Sequence, residues 1–442
     1  MPVCQPREKI FLGTRDKGLG TRKIFGGQKI FSGRLSDLAV GIIAEYNPFH
    51  AGHAYQIAEI KKFCGAEIVA VMSGSFTQRG SPAILDKWTR ARLAVAGGVD
   101  LVLELPFVHA VRSAQDFARG AINLINSLGV VDTLAFGSEL TDLAALKLAA
   151  AAFDENFFPN DLRRLMAQGF SYAAAVTKIL ARVTALDENF LRQPNTILAV
   201  EYLRALPEKI SPLLIARVGA PYDELTLREN FSSASAIRAA LRQNPPPWQK
   251  ISAQISADTL RALQAEKSFP DENFLFRPLI AKLLTSRADE LRNIFGMTEG
   301  LEFRLINAAD AKNFPALINR LVARRYPAAR IRRLLLHFLL NLTAQDVAEF
   351  DAVTCARVLA FNDCGRALLK KISAPTITKL TAHLNRRDLS ERRRPLAPYQ
   401  KILLFDVLAS DLRALLFDPP RPLHSDFAAS PTPNSSGHDA IS

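Results

Sequence analysis

At 442 residues, 48% of them hydrophobic, the chain is long enough for two or three domains around a sizeable core. It has no apolar run approaching the length of about eighteen residues that a membrane span requires, and 334–340 is too short, so no membrane contact is expected. The formal net charge of +13 invites a polyanionic partner, yet residues 1–36 hold eight Lys/Arg against Glu8 and Asp16, so about half of the surplus lies ahead of the body of the chain.

In chain order, residues 1–37 mix charges with a repeated Lys-Ile-Phe at 9–11, 23–25 and 29–31, spaced by Gly-rich pieces without helical or strand period. A basic, disordered extension is expected there. Two readings of it stand: an interaction arm, or upstream sequence translated from a misplaced start codon. It lacks the continuous apolar core of a secretory signal. Cys4, Cys64, Cys355 and Cys364 lack the spacing of a disulfide framework or zinc site. Both observations point to a reducing cytoplasm.

From Leu38 the pattern changes. Short apolar runs at 39–44, 68–72, 101–105 and 133–136 predict buried strands, and amphipathic stretches at 53–63, 86–96 and 114–128 predict crossover helices. That alternation predicts an α/β fold with a doubly wound parallel sheet, whose ligands sit beyond the C-terminal ends of the strands. Residues 142–168 read as helical and alanine-rich, Gln193-Pro194-Asn195 opens a helix running to Arg204, 213–218 reads as a strand, 219–229 as a loop, and 232–241 as a helix with a serine-rich start. A first domain over 38–243 follows. Pro245-Pro246-Pro247 breaks the chain, after which helical patterns with almost no strand predict a second, α-helical domain over 250–417. The Pro-, Ser- and Ala-rich residues 418–442 predict a disordered tail.

Chemistry concentrates where the first strand becomes a helix, at Ala44-Glu45-Tyr46-Asn47-Pro48-Phe49-His50-Ala51-Gly52-His53. Amides at a helix start and the positive end of its dipole favour an anion, and two imidazoles beside them can donate to phosphate oxygens as charge builds. Gly52 leaves room for a base or ribose. No Glu or Cys follows at metal-ligand spacing, so the pair is not read as a metal site. Phe231-Ser232-Ser233-Ala234-Ser235-Ala236-Ile237-Arg238 clusters hydroxyls at another helix start, fitting either helix capping or a second phosphate contact.

Two further stretches divide between a functional and a plain reading. The stretch from Met72 to Gly80, with Arg79, and the following Lys87 and Arg90, either orients a substrate carboxylate or triphosphate or is a solvated loop. Arg320, Arg324, Arg325, Arg330, Arg332 and Arg333 lie in a short region without acids. Ile331, Leu334, Leu335, Phe338, Leu339 and Leu342 take the core face, which puts Arg330, Arg333 and His337 together on another, as an RNA-contacting or merely solvated surface.

From about Val40 to Asp411 the chain resembles the tRNA(Met) cytidine acetate ligases of the HxGH nucleotidyltransferase superfamily. The resemblance is carried by residues 41–53, Val71-Met72-Ser73-Gly74, Gln78-Arg79-Gly80, Asp86-Lys87-Trp88-Thr89-Arg90 and Phe136-Gly137-Ser138-Glu139. Gln193-Pro194-Asn195, Arg217-Val218-Gly219-Ala220, Glu299-Gly300-Leu301-Glu302 and the stretch from Arg325 to Thr343 extend it. It implies an enzyme that uses ATP with Mg²⁺ to make acetyl-adenylate from acetate and acetylates the wobble cytidine of elongator tRNA(Met).

By the same resemblance, Gly41, Ile42, Ile43, Ala44, Glu45, Tyr46, Asn47, Pro48, Phe49, His50, Ala51, Gly52 and His53 form the main ATP segment, with His50 and His53 catalytic. Gly137, Asn195 and Arg217 complete the pocket, and Ser233, Ser235 and Arg238 form a second phosphate motif. Arg325, Arg330 and Arg333 are the expected RNA contacts. The extension, Ala51 in place of a polar residue, and Pro221-Tyr222-Asp223 in place of Tyr-His-Asp depart from the pattern. An adenylyltransferase acting on a phosphorylated metabolite and a non-catalytic tRNA-binding protein are the competing readings.

Overall fold

The computed structural model describes residues 22–25, 28–31, 39–218, 224–229, 231–298, 300–351, 355–390 and 395–433. Within the leading segment, β1 (Arg22–Phe25) pairs antiparallel with β2 (Gln28–Phe31), although the sequence there shows no strand period. Backbone hydrogen bonds make such a ribbon without a side-chain pattern. The rest of 1–37 lies outside the described residues.

The main sheet contains β3 (Ala39–Ala44), β4 (Ile68–Ser73), β5 (Leu101–Leu105), β6 (Val131–Ser138), β7 (Ser211–Ala216), β8 (Ala356–Phe361), β9 (Thr376–Ile377) and β10 (Thr432–Pro433). Their order is β10-β8-β5-β4-β3-β6-β7, with β9 also on β8. Alternate residues of β4 feed two cores: Val69 and Val71 join one, Ile68, Ala70 and Met72 the other, all fully buried. Because both faces are covered, the strand reads as a continuous apolar run rather than an alternation. Helices α1 (Ala51–Cys64) and α2 (Lys87–Ala96) supply core residues to the second face, and helix Ala114–Leu128 to the first. The chain builds β3, β4 and β5 to one side, then places β6 and β7 on the other side of β3. The strand order therefore reverses at β3/β6, where a crevice opens beyond the strand ends.

Two expectations are corrected. The doubly wound parallel sheet is present over β3 to β7, but β8, from the region expected to hold almost no strand, joins it antiparallel to β5 and makes the whole sheet mixed. The run Ala-Arg-Val-Leu-Ala-Phe is short and buried throughout, so period alone does not separate it from a helix. The sheet thus crosses the domain boundary suggested at 243–250. Residues 418–433 are not a disordered tail: β10 pairs with β8, and Asp426 is 2% exposed between Lys87 and Arg357. Ion pairs and backbone pairing hold this stretch, and its composition registers neither. The expected helix at 142–168 divides into Leu143–Ala151, Ala152–Asp154 and Phe158–Ala167. No described helix is long and apolar enough to cross a membrane.

Candidate active site

His50 is the N-cap of α1 in extended conformation. Its Nδ1 accepts from Gly52 N at 3.0 Å, and His53 Nδ1 accepts from His50 N at 3.2 Å. The two imidazoles therefore perform a reciprocal cap that is usually made by a hydroxyl and a carboxylate. Their rings stack with centroids 3.8 Å apart. With Nδ1 accepting in both, the neutral tautomer carries its proton on Nε2, which leaves that N–H to donate. Burial, with help from Arg217 and Arg238, pushes the His50 pKa down to about 3; burial, His50 and Arg217 hold His53 well below its ordinary value. Neither ring is an imidazolium near neutrality.

This geometry changes how the helix start works. Ala51 N donates to Gln254 O, Gly52 N to His50 Nδ1, and His53 N and Ala54 N to His50 O. The first-turn amides are thus already occupied, and imidazole and guanidinium donors face the cavity instead. A Cβ on Gly52 would stand 2.9 Å from His50 Cε1, so this glycine makes room for the neighbouring ring in addition to lining the cavity.

The cavity, of about 390 Å³, opens at the β3/β6 crevice. Of the predicted residues, Ile43, Ala44, Glu45, Tyr46, Asn47, His50, Gly52 and His53 line it from the first motif, together with Gly137, Asn195, Arg217, Ser233 and Arg238. Gly41, Ile42, Pro48, Phe49 and Ala51 do not. A Cβ on Gly41 would meet Val131 at 3.1 Å, Ile42 is core, and Phe49 packs where a Cβ on Gly97 would clash at 2.3 Å. Ser235 lines a neighbouring cleft and receives a bond from Arg238 Nη2 at 3.1 Å, while Arg238 Nη1 reaches Asn47 O at 2.6 Å. Ser233 does cap its helix, accepting from Ala236 N at 3.0 Å, so capping and lining coexist. Tyr46, in left-handed backbone at φ 45°, has a buried hydroxyl without a hydrogen-bond partner, as does the side-chain amide nitrogen of Asn47. Orphaned donors and a strained residue at a cavity wall suit a site that a polar ligand completes.

Glu139 was missed as a site residue. It accepts from Asn195 Nδ2 at 2.6 Å and from Thr196 N at 3.0 Å, and lies 3.7 Å from Arg217. The available signal was its place directly after the β6 run. The loop after β4 divides: Gln78 and Arg79 line the cavity, with Gln78 N donating to Glu45 Oε1 at 2.7 Å. Lys87 and Arg90 do not reach it. Lys87 pairs with Glu104 and Asp426, and Arg90 donates to the backbone oxygens of Glu45, Ser73 and Gly74. Both are structural.

The arginine face is also corrected. His337 is buried, its ring nitrogens 3.1 Å from Phe295 O and 2.7 Å from Val111 O, and Arg333 turns inward to Gln78 O at 3.4 Å. Arg325 is exposed, and Arg330, partly exposed, stacks over Tyr326 and donates to Thr298. Two other arginines in the run are paired, Arg320 with Asp310 and Arg332 with Glu272. Helical spacing correctly grouped Arg333 with His337 but did not show that the β4 loop and the residues around Phe295 cover that face.

A model of the HIGH nucleotidyl transferase family matches residues 38–425. A tRNA(Met) cytidine acetate ligase of Caldanaerobacter subterraneus subsp. tengcongensis is 40% identical over 365 residues, 78% of this chain and 89% of the relative. One from Syntrophotalea carbinolica is 38% identical over 394 residues, 85% and 92% of the two chains. Among solved structures, Thermotoga maritima TmcAL is similar with a TM-score of 0.81 at 29% identity, over 90% of this chain and 100% of that one. The same protein bound with alpha-thio ATP gives 0.79 at 28%, with the same coverage.

Proposed function

This chain belongs to the HIGH nucleotidyl transferase family and, within it, to the tRNA(Met) cytidine acetate ligases, and from that membership we propose how its cavity works. The enzyme is an ATP-dependent tRNA ligase. ATP occupies the crevice beyond β3 and β6, and acetate is the co-substrate. A carboxylate oxygen of acetate attacks the α-phosphorus, and the bond to pyrophosphate breaks as the acyl-phosphate bond forms. The N4 amine of the wobble cytidine in elongator tRNA(Met) then attacks the acetyl carbonyl, loses a proton, and releases AMP.

The single observation that carries this reading is the stacked pair of neutral imidazoles, His50 and His53, flanked by Arg217 and Arg238 at the reversal of strand order. Nε2–H donors in a desolvated site stabilise charge developing on the phosphoryl oxygens without having to reorganise. Asn195 and Arg217, with Gly137 between the strand ends, hold the nucleoside end, and Ser233, Ser235 and Arg238 favour the phosphates. No group of three or more His, Cys, Asp or Glu among the described residues could hold a metal, and Glu45 in the cavity lining and Glu139 beside Asn195 and Arg217 already accept hydrogen bonds. Mg²⁺ would therefore come ligated by the triphosphate and supply charge neutralisation there. Arg325 and Arg330 serve as outer RNA contacts, and ATP and tRNA place the reaction in the cytoplasm.

The test is to incubate the protein with ATP, Mg²⁺, radiolabelled acetate and total tRNA, then digest the RNA. Label is expected in N4-acetylcytidine from elongator tRNA(Met). RNA that stays unlabelled, with pyrophosphate exchange that needs a phosphorylated metabolite in place of acetate, would overturn the reading.

A further inference from the structure

We propose that a second cleft, continuous with the nucleotide cavity, is the track along which RNA enters, holding the phosphates that flank the target cytidine. This rests on the tRNA-ligase reading above and adds the place where the polynucleotide lies. The cleft, of about 940 Å³, has one wall from the first half of the chain, with Arg79, Arg238 and Arg242, and another from the C-terminal half, with Arg332. That volume is near the upper end of the usual range for ligand sites, ~300–1,000 Å³, and is far more than a departing pyrophosphate requires.

Arg79 and Arg238 line both spaces, so a ligand in the cleft lies beside the one in the cavity. Both are held in place. Arg238 is fastened to Asn47 O and Ser235 Oγ, and Gly80, at φ 83°, lets the Arg79 loop sit so close to helix Ala328–Leu340 that a Cβ there would stand 3.0 Å from Arg333 N. The four arginines face two acids in the lining, Asp271 and Glu272, the latter paired with Arg332 at 3.0 Å. The balance is basic. Planar guanidinium forks from separate elements suit successive phosphates, and Phe269 in the lining offers a ring to a base. Arg333, expected to touch RNA directly, instead braces the Gln78 carbonyl behind this wall.

The experiment compares Arg242→Glu and Arg242→Lys with the wild type, because this exposed residue lines only the cleft. It reads tRNA affinity across a salt series and, separately, RNA-free pyrophosphate exchange with ATP and acetate. Arg242→Glu should weaken tRNA binding about tenfold at low salt and flatten the log–log salt slope by about 0.7 for each lost phosphate contact, with a far smaller change in exchange. Arg242→Lys should restore most of the affinity. Wild-type affinity and slope in Arg242→Glu would overturn the cleft's role while leaving the ligase reading intact, and so would a raised KM for pyrophosphate with unaltered tRNA binding, which would assign the cleft to the leaving group. A wild type that exchanges nothing with acetate and binds no tRNA would overturn the ligase reading and the cleft together.

Discussion

Two clusters of ionisable groups in this molecule, one half-buried and one buried, are wired in opposite ways. At the nucleotide cavity, burial acts most on the His50 and His53 rings, and the charges that add to it, Arg217 and Arg238 for His50, and His50 and Arg217 for His53, have the same sign as the imidazolium they oppose. Across the sheet, Lys87, Glu104, Arg357 and Asp426 meet at 2.7–3.2 Å, cations alternating with carboxylates, all nearly inaccessible to solvent. Asp406 joins them, its carboxyl pushed up by burial and by Glu104. The second cluster is closed in charge, two cations against the carboxylates of Glu104 and Asp426, and joins β5, β8, α2 and the C-terminal stretch, although Glu104 Oε2, Arg357 Nη2 and Asp406 Oδ2 have no hydrogen-bond partner. The first is left electropositive, an arrangement that an anion completes. Buried charge of itself is therefore no mark of a site; an uneven balance is.

The largest effect should come from opening the closed cluster. Asp426→Ala leaves two buried cations, Lys87 and Arg357, to share the single carboxylate of Glu104 and should cost about 3–5 kcal/mol of stability, read from denaturant unfolding. ATP binding by the protein that remains folded should be little altered. An unchanged unfolding midpoint would remove the structural half of the contrast. The cavity should respond in the reverse manner. His53→Ala should leave a folded protein with exchange about a hundredfold slower, on the order of 3 kcal/mol of transition-state stabilisation. Exchange near the wild-type rate would strip the imidazoles of their assigned role. Glu139→Gln, which keeps the shape but loses the charge facing Arg217 and Asn195, should raise the KM for ATP about five- to tenfold, or ~1–1.4 kcal/mol, with kcat nearly constant. A fall in kcat at constant KM would mean that Glu139 acts on the chemistry and not on the positioning of those two side chains.

How far the sequence discloses these arrangements depends on how local they are. The β3-to-α1 turn is one continuous stretch, so its imidazoles, its glycine and its place after the first strand are all visible in order. That the imidazoles cap the helix with Nδ1, occupying the amides expected to bind phosphate, needs three dimensions. Glu139 meets Asn195 and Arg217 from three separate elements, and no spacing connects them. Arg333 and His337 were grouped correctly by helical period, but a wheel shows which residues share a face and not what covers it. For β8 and for 418–433 the missing information is again long-range: Arg357 and Asp426 are tolerable in the interior only because of each other, Lys87 and Glu104.

The smallest predicted effect is a pH profile that stays nearly flat. An imidazole with an ordinary pKa near 6.5 would lose most of its neutral form between about pH 8 and 5, and exchange would fall with it. With His50 at about 3 and His53 well below its usual value, both keep the neutral, Nε2-donating form throughout, so exchange should vary by no more than about twofold over that range. Stability should behave differently. Below about 6.5 the unfolded imidazoles take up protons that the folded ones refuse, so the unfolded state binds more protons and stability falls with pH, down to about 3 for His50. Above that window these histidines contribute no pH dependence. His109 and His337, whose pKa values burial lowers to about 4, add to the same slope from outside the cavity. The separating variant is therefore Arg217→Ala. Removing that cation should raise the pKa of His50 and His53 part of the way, since burial, the larger cause, remains, without touching His109 or His337, so that the acid limb of exchange moves to higher pH than in the wild type while most of the acid loss of stability persists. An acid limb already present in the wild type between about pH 8 and 5 would show that the cavity rings are ordinary solvated histidines, and the contrast between the two clusters would fail at its electropositive end.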